Sequence, residues 1–512
     1  MASADKVLDQ PSEGSVLGTP RDLEDQDQDQ DQDQETLETY PSRPVVAPGI
    51  SSMTQDWSIG RKIYYTAIPC FLAYLITFSA SITGSATQAL MTQFHVSRTV
   101  ALLPGTLYLV GLALGPMFIA PLSEFIGRRW LYRFSSATLV VFSAGAGASH
   151  TFAGLVVCRF FAGFFGTCGI AIGAGTILDV WGHSKARGLA TLLFTCGPFF
   201  GPSMGPVAGA YVMAAHGNDW RWTQWVLCLL GGPLFLLVLP MAETSAVSGA
   251  SRGKKTKDEK ASSAAGLVFF FVFFFFSTLR AAVVRSTTML ATEAICFWLT
   301  LYTGYAYAVV FSFFASGSYV YQHDYGFDER QVGLVFLAVI IGYILAAVVH
   351  VVIDQTLYAR AAKHSPAHHA APEYRLYSGM AGSIFLPIGL FWYAWASKPG
   401  DHWAVVAASG IPFGLGAFVL FLSSIVYLVE SYGSRAAASA LAANGLVRYM
   451  LGAVFPLFTF QMYENLGIHW AGSLFAFLSL ALLPIPWLLF KYGHRLRAHS
   501  RFAPALSPTI VA

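Results

Sequence analysis

The sequence predicts an all-α membrane protein with twelve transmembrane helices in two six-helix halves. Three observations carry this. The 512 residues are 55% hydrophobic and only 12% charged, with 41 Phe, whereas a soluble globular chain is about 25% charged. The apolar residues gather into runs long enough to cross a bilayer, which takes roughly 17–25 residues, and the basic residues sit in the loops between them. The chain also echoes itself. Asp179-Val-Trp-Gly182 and Glu430-Ser-Tyr-Gly433 lie 251 positions apart, and so do Gly201 and Gly452. Three pairs in one register indicate an internal repeat.

The same composition excludes several classes. A net charge of +3 is too small for a nucleic-acid partner, and basic loops between apolar runs report topology instead. The six cysteines all fall inside apolar runs without a Cys-x-x-Cys, so neither a disulfide framework nor a metal site is expected. No cofactor motif stands out. No polar pair at catalytic spacing recurs inside the runs, so an enzyme is not expected.

In order, residues 1–56 form a polar tail with an Asp-Gln repeat, too poor in apolar surface to offset the entropy of ordering. It holds no cleavable signal peptide, so the first membrane run is expected to serve as the anchor. Residues 57–242 form the first half, with runs at about 63–82, 100–125, 131–148, 152–179, 189–214 and 222–241. Arg61 and Lys62 before the first run place the amino terminus in the cytoplasm. Residues 243–288 form a middle loop containing the phenylalanine-rich stretch 266–276. That stretch is too short to span, and counting it as a span would turn every later basic loop outward. It is expected to be interfacial or buried; an error in the gene model is the alternative. Residues 289–490 form the second half, with runs at about 289–316, 332–353, 379–396, 404–429, 437–460 and 471–490, and residues 491–512 form a basic cytoplasmic tail. His364, His368 and His369 lie in an alanine- and proline-rich loop, expected to be solvated. His350 and Asp354, four residues apart, are expected to pack or to titrate together.

Three motifs in the first half carry mechanism, and several segments of the second half accompany them. The second run ends Ala120-Pro-Leu-Ser-Glu-Phe-Ile-Gly-Arg-Arg129, where Gly127 permits a tight turn and Glu124 stands within reach of Arg128 and Arg129. The fourth run holds Leu155-Val-Val-Cys-Arg159-Phe-Phe-Ala-Gly163. A guanidinium within the bilayer costs roughly 2.5–3.5 kcal/mol on insertion scales, so Arg159 should face the bundle interior or water. Snorkelling to the outer interface is the alternative. The fifth run reads Gly197-Pro-Phe-Phe-Gly201-Pro-Ser-Met-Gly205-Pro-Val-Ala-Gly209. Glycines four apart share a face and admit a close helix neighbour, expected to be the eighth run, while Pro202 and Pro206 bend the helix. The second half carries Pro372-Glu-Tyr-Arg-Leu376, Tyr325-Gly-Phe327, Ala438-Ser-Ala440 and Arg448.

These motifs resemble those of the major facilitator superfamily, in particular its fungal twelve-helix drug:proton antiporter branch, from about residue 57 to 501. Ala120 and Glu124 stand where the family's loop motif has Gly and Asp. Ala242-Glu-Thr244 stands where the branch has Pro-Glu-Thr, and Ser286 follows Arg285 where a proline is usual. The resemblance implies the major facilitator fold and proton-coupled efflux of small, largely hydrophobic molecules by alternating access. The alternatives are a nutrient facilitator or symporter, and a non-transporting membrane sensor. It implies that Arg159, Glu124, Arg128, Arg129, Asp179, Glu430 and Arg448 serve coupling or conformational change. It further implies a cavity between runs 1, 4, 7 and 10, with Tyr74, Phe78, Ser79, Tyr302, Tyr305, Tyr307 and Ser423 as candidate lining. No acidic residue lies near the middle of runs 1, 2, 4 or 5, which argues against strongly cationic substrates such as polyamines. The expected partners are the lipid bilayer, a small-molecule substrate and protons, with the chain a monomer in the plasma membrane.

Overall fold

A computed structural model describes residues 57–182, 186–244, 277, 280, 283–364, 370–398 and 400–503. The Asp-Gln repeat, the phenylalanine-rich stretch, His368 and His369 lie outside these residues. The described residues are helical throughout, with no strand among them. Among them, nine helices are long and apolar enough to cross a membrane. The last, Ala436–Ala498, is two helices meeting at Gly467, whose φ of 75° and ψ of 161° are not helical. Arg128–Gly147 and Ala186–Ala215 complete the twelve; arginines in one and prolines in the other lower their hydropathy. In chain order they are α1 (Ile59–Ile82), α2 (Leu103–Ile126), α3 (Arg128–Gly147), α4 (Phe152–Trp181), α5 (Ala186–Ala215), α6 (Arg221–Val238), α7 (Ala294–Tyr325), α8 (Glu329–Lys363), α9 (Leu376–Ala396), α10 (Trp403–Gly433), α11 (436–466) and α12 (468–498).

Local chemistry sets many of the boundaries. The Thr151 hydroxyl accepts from Gly154 N at 3.2 Å and starts α4. Asp328 and Gln331 form a reciprocal capping box that starts α8, satisfying two donors left free by the first turn. Gly182 ends α4 at φ 51°, and Gly433 ends α10 at φ 57°, a region that costs glycine little and other residues more. These two glycines share the 251-residue offset, so the repeat seen in sequence is also a repeat of backbone conformation.

Several ends differ from expectation; α7 runs to Tyr325 rather than about 316 and α12 to 498 rather than about 490, and two others have a clear local cause. Helix α7 begins at Ala294 rather than near 289, because Glu293 breaks it at φ −105° and ψ 104°. The buried Glu293 carboxylate accepts from Tyr432 Oη and from Arg501 N, each at 3.2 Å, which ties the break to α10 and the chain beyond α12. Helix α8 continues past residue 353 through a π turn, Asp354–Tyr358.

The bundle is held by backbones meeting over glycine. In lipid no hydrophobic force draws helices together, so close van der Waals packing must do so. Gly111 of α2 lies against the Phe160 carbonyl of α4, and Gly163 of α4 against the Tyr108 carbonyl of α2. The second half repeats this: Gly342 of α8 meets the Ile411 carbonyl of α10, and Gly414 meets the Val339 carbonyl. Gly163 and Gly414 again lie 251 positions apart.

The glycine face of α5 has a different partner from the one the sequence suggests. Gly197, Gly201, Gly205 and Gly209 all face α1 and its extension, against Tyr74 N, Phe78 N, Ile82 N and Ser85. A second face of α5 meets α8, where Gly333 packs on Pro206 and Val207 and Ser203 Oγ lies 3.5 Å from Tyr343 Oη. Glycine spacing fixes how near a neighbour comes, not which helix it is. A β-carbon at Gly205 would stand 2.8 Å from Ile82 N, so even Gly205→Ala must move backbone. Overpacking of this kind costs about 1–3 kcal/mol. At Gly232 of α6 a β-carbon meets nothing within 4 Å, and alanine there should gain up to about 1 kcal/mol from helix propensity. Thermal unfolding of the purified variants in detergent should show a lower midpoint for Gly205→Ala and an unchanged or higher one for Gly232→Ala. Equal midpoints would contradict the packing.

Candidate functional site

One end of the bundle carries the arginines of the loops. Gly127, at φ 90° and ψ 159°, turns the chain between α2 and α3. The first two amides of α3 then face the Glu243 carboxylate: Arg128 N donates to Oε1 at 2.9 Å and Arg129 N to Oε2 at 3.2 Å. A carboxylate at a helix amino terminus is favourable, because unpaired amides and the helix dipole both present positive charge there. The Arg128 guanidinium crosses to Asp179 of α4 at 2.5 Å. Gly175, one turn before Asp179, leaves the room: a β-carbon there would stand 2.9 Å from Arg128 Nη2. Arg129 and Arg133 lie over the Trp130 ring.

The second half has a matching clasp. Arg375 donates through Nε to Glu430 at 2.8 Å and through Nη1 to Asp354, with its guanidinium 3.5 Å from the Tyr358 ring centre. Asp179 and Glu430, the acids of the sequence echo, thus hold equivalent arginine pairs at the ends of α4 and α10. Nearby, Arg497 grips Glu373 through two hydrogen bonds of 2.9 and 2.8 Å. Asp354 thus hydrogen-bonds Arg375, while His350 Nδ1 lies 3.0 Å from Ser378 Oγ. The side chain of Glu124 lies outside the described residues.

At the opposite end a cavity of about 370 Å³ opens between α1, α2, α5, α7, α8 and α11. Exposed Gln88, Gln322 and Glu329 stand at its rim; Leu109, Phe311, Phe314, Gly452 and Ala453 are among its apolar lining. Below it, Phe199 of α5 bridges the halves. Its ring centre lies 4.8 Å from both Phe418 and Phe421 of α10, 5.4 Å from Tyr343 of α8 and 6.2 Å from Tyr307 of α7. These rings form a septum between the cavity and the arginine-rich end.

Two guanidiniums are buried at mid-bundle. Arg159 is 0% exposed, so it faces the interior and does not snorkel. Nη1 donates to Ser79 Oγ at 2.8 Å, Nη2 to the Ser79 carbonyl, and the group lies 4.2 Å from the Tyr108 ring centre. Arg448 of α11 is 5% exposed and sits among the rings of Tyr449, Phe421 and Tyr307 at 4.4, 4.7 and 5.0 Å. Among the described residues its Nε and Nη1 have no hydrogen-bond acceptor, and the hydroxyls of Tyr307 and Tyr449 have no partner either. A buried donor left unpaired costs about 1–3 kcal/mol, and more when charged.

The expected lining is only partly gathered. Ser79 and Tyr307 reach the centre, as Arg159's acceptor and as a septum ring. Tyr302 and Tyr305 do not face the cavity. They lie three residues apart and share a helix face, and Tyr305 donates to the Phe475 carbonyl of α12. Ser423 donates to the Arg375 carbonyl at 2.9 Å, so it belongs to the clasp. Tyr74 and Phe78 stack on each other at 5.6 Å and do not line the cavity. Runs 4 and 10 do not line it either; they supply Arg159 below it and two septum rings. Phe199, Glu243 and Arg375 carry no expected role in sequence. Only Arg375 has a usable signal there, a basic residue before α9 facing acids at the ends of α8 and α10.

Fold and site together define a polytopic carrier with a central pathway. Residues 70–456 match the family model of the Major Facilitator Superfamily, and the chain belongs to that superfamily. It is 32% identical over 477 residues to Polyamine transporter 4 of Saccharomyces cerevisiae, covering 88% of this chain and 71% of that one. It is 36% identical over 456 residues to an MFS-type efflux pump of Trichophyton rubrum, covering 88% of this chain and 75% of the relative. The fold is similar to that of the human organic anion transporter MFSD10, at a TM-score of 0.55 and 16% identity, covering 85% of this chain and 100% of that one. It is thus a multi-pass membrane protein of a transporter family.

Arg375 holds two acids that would otherwise repel. Arg375→Met should therefore destabilise by about 1–2 kcal/mol, between the values for exposed and for buried pairs, because the Asp354 and Glu430 side chains are 41% and 30% exposed. Adding Glu430→Gln should recover part of that loss by removing a leftover charge. Unfolding midpoints of the single and double variants check this; a double variant no better than the single would refute the clasp.

Proposed function

We propose that this protein exports small, largely hydrophobic molecules across the plasma membrane, driven by inward proton flow, as a monomer in the lipid bilayer with both termini in the cytoplasm. The observation that carries this reading is the asymmetric pathway: a cavity open at one end, and an aromatic septum and arginine clasps toward the other. With the arginine-rich end in the cytoplasm, the cavity is the outward-open state of an alternating-access cycle. The efflux-pump relative supports the direction of transport.

In this reading the clasps favour outward opening, and breaking them favours the opposite state. Two states separated by a few kcal/mol can be shifted by loss of a few such contacts. Arg159 keeps its charge, since a guanidinium is not deprotonated in proteins; it acts as a fixed charge against which protons and substrate are exchanged. Among the described residues the acids lie toward the bundle ends: Asp179, Glu243, Asp354 and Glu430 toward the clasps, and Glu329 at the cavity rim. A polyamine would find little counter-charge along the middle of the path, which sets this reading apart from the substrate in the yeast relative's name.

The test is accumulation of a varied panel of hydrophobic compounds in cells with and without the protein, repeated with a protonophore. The expected result is lower accumulation of some compounds, abolished by the protonophore. Arg159→Ala should reach the membrane but lose proton-driven efflux at least tenfold; normal efflux by that variant would remove Arg159 from coupling.

A further inference from the structure

We propose that the unsatisfied donors around Arg448 form a carboxylate-binding site, and that the favoured substrates are organic acids with an apolar body. This deepens the exporter reading and rests on it for the word substrate, but the binding site itself does not.

The two buried arginines are not alike. Arg159 already has acceptors, the hydroxyl and carbonyl of Ser79. Arg448 has rings around it and, among the described residues, no acceptor for Nε or Nη1. The Tyr307 and Tyr449 rings meet edge to face at 5.5 Å, and both hydroxyls lack partners. Asn444 lies one turn before Arg448; its Nδ2 donates to Thr303 at 2.7 Å, and its Oδ1 is the one amide acceptor of the cluster left without a partner among the described residues, against the Nε and Nη1 of Arg448 and two hydroxyls. The open capacity of the cluster is thus mostly donor capacity, and it carries a fixed positive charge. A carboxylate is the complement: it is acceptor-only and takes a guanidinium and hydroxyls at once.

The site is placed for a ligand arriving by the pathway. Gly452, one turn beyond Arg448, lines the cavity and packs on the Tyr307 ring. The guanidinium therefore lies just beneath the floor, with Tyr307 as the cover. Phe421 on the other side offers an apolar wall. Among the described residues neither guanidinium forms an ion pair with a carboxylate, so the centre of the bundle carries positive charge that an anionic ligand would balance. A cation of the same size would meet two like charges.

The experiment uses the purified full chain in detergent and equilibrium dialysis of three probes with one apolar body: 1-naphthoate, 1-naphthamide and 1-naphthylmethylamine. Naphthoate should bind at least tenfold tighter than the amide, and the amine most weakly. Arg448→Gln should bring naphthoate down to the affinity of the amide while leaving the amide unchanged, and Arg448→Lys should keep part of the preference. If Arg448→Gln does not fold, Tyr449→Phe removes one donor without the charge and should weaken naphthoate severalfold, again sparing the amide. Equal binding of acid and amide, tighter binding of the amine, no binding of naphthoate, or an unchanged preference in the arginine and tyrosine variants would each overturn the proposal. A naphthoate preference in dialysis without efflux of any compound in cells would overturn the exporter reading alone. Efflux of neutral compounds with equal binding of acid and amide would overturn this inference alone.

Discussion

Everything in this bundle rests on helix backbones brought into contact over glycine. Apolar side chains gain nothing by leaving lipid for other apolar side chains, so packing density must supply the attraction. Glycine supplies it where α2 crosses α4, where α8 crosses α10, and where α5 lies along α1. The first two contacts are copies of each other in the two halves. They fix each half as a stiff body, and stiffness within the halves leaves change to the seams between them. The seams include one such contact, Gly333 of α8 on Pro206 and Val207 of α5, but are mostly of another kind: rings meeting rings at Phe199 and a long hydroxyl contact between Ser203 and Tyr343. Rings can slide over one another with little loss, whereas a glycine-bearing backbone cannot move without a collision.

Charge is organised around the same division. Near the arginine-rich end every described buried or half-buried arginine is answered by an acid or a ring, as in Arg128 with Asp179, Arg375 with Glu430 and Arg497 with Glu373. In the middle, Arg159 is answered by neutral oxygen and Arg448 by aromatic faces alone. Ring faces attract a cation through their quadrupole, but they accept no strong hydrogen bond. Among the described residues the bundle thus keeps its acids at the ends and leaves its two central guanidiniums without a carboxylate.

Much of this was legible in the sequence, and the failures have physical causes. Twelve helices follow from the length and spacing of the apolar runs, and Arg159 was bound to face inward because lipid tolerates a guanidinium poorly. The 251-residue echo marked Asp179, Glu430, Gly182 and Gly433, and these prove equivalent in conformation or in contact. What sequence could not supply was direction. Helix α7 is buried on nearly every side, so its pattern has no polar face to tell which tyrosine looks toward the pathway. Tyr302 and Tyr305 accordingly turned to the wall, and Tyr307 to the centre. The glycines of α5 announced a near neighbour but not its identity, and the partner was α1 rather than α8. Glu243 was visible only as the middle residue of a family pattern whose first position departs at Ala242, since nothing local shows that it will cap a helix more than a hundred positions earlier.

The pairing of α1 with α5 also bears on how the chain is made. Thr77 of α1 donates to the Gly197 carbonyl at 3.2 Å across 120 positions of sequence. At about 5–20 residues per second of synthesis, α1 waits roughly 6–24 s for the strip of glycines it will press against. During that interval the Thr77 hydroxyl has no α5 carbonyl to reach, and lipid offers none of the hydrogen bonds that water would. The helix carries its own remedy. Thr77 Oγ1 also reaches the Ala73 carbonyl at 2.9 Å, Thr66 Oγ1 the Lys62 carbonyl at 2.8 Å, and Ser81 Oγ the Phe78 carbonyl at 3.3 Å. Each folds back on the turn beneath it, so α1 can enter the membrane alone and remain there until its partner emerges from the ribosome.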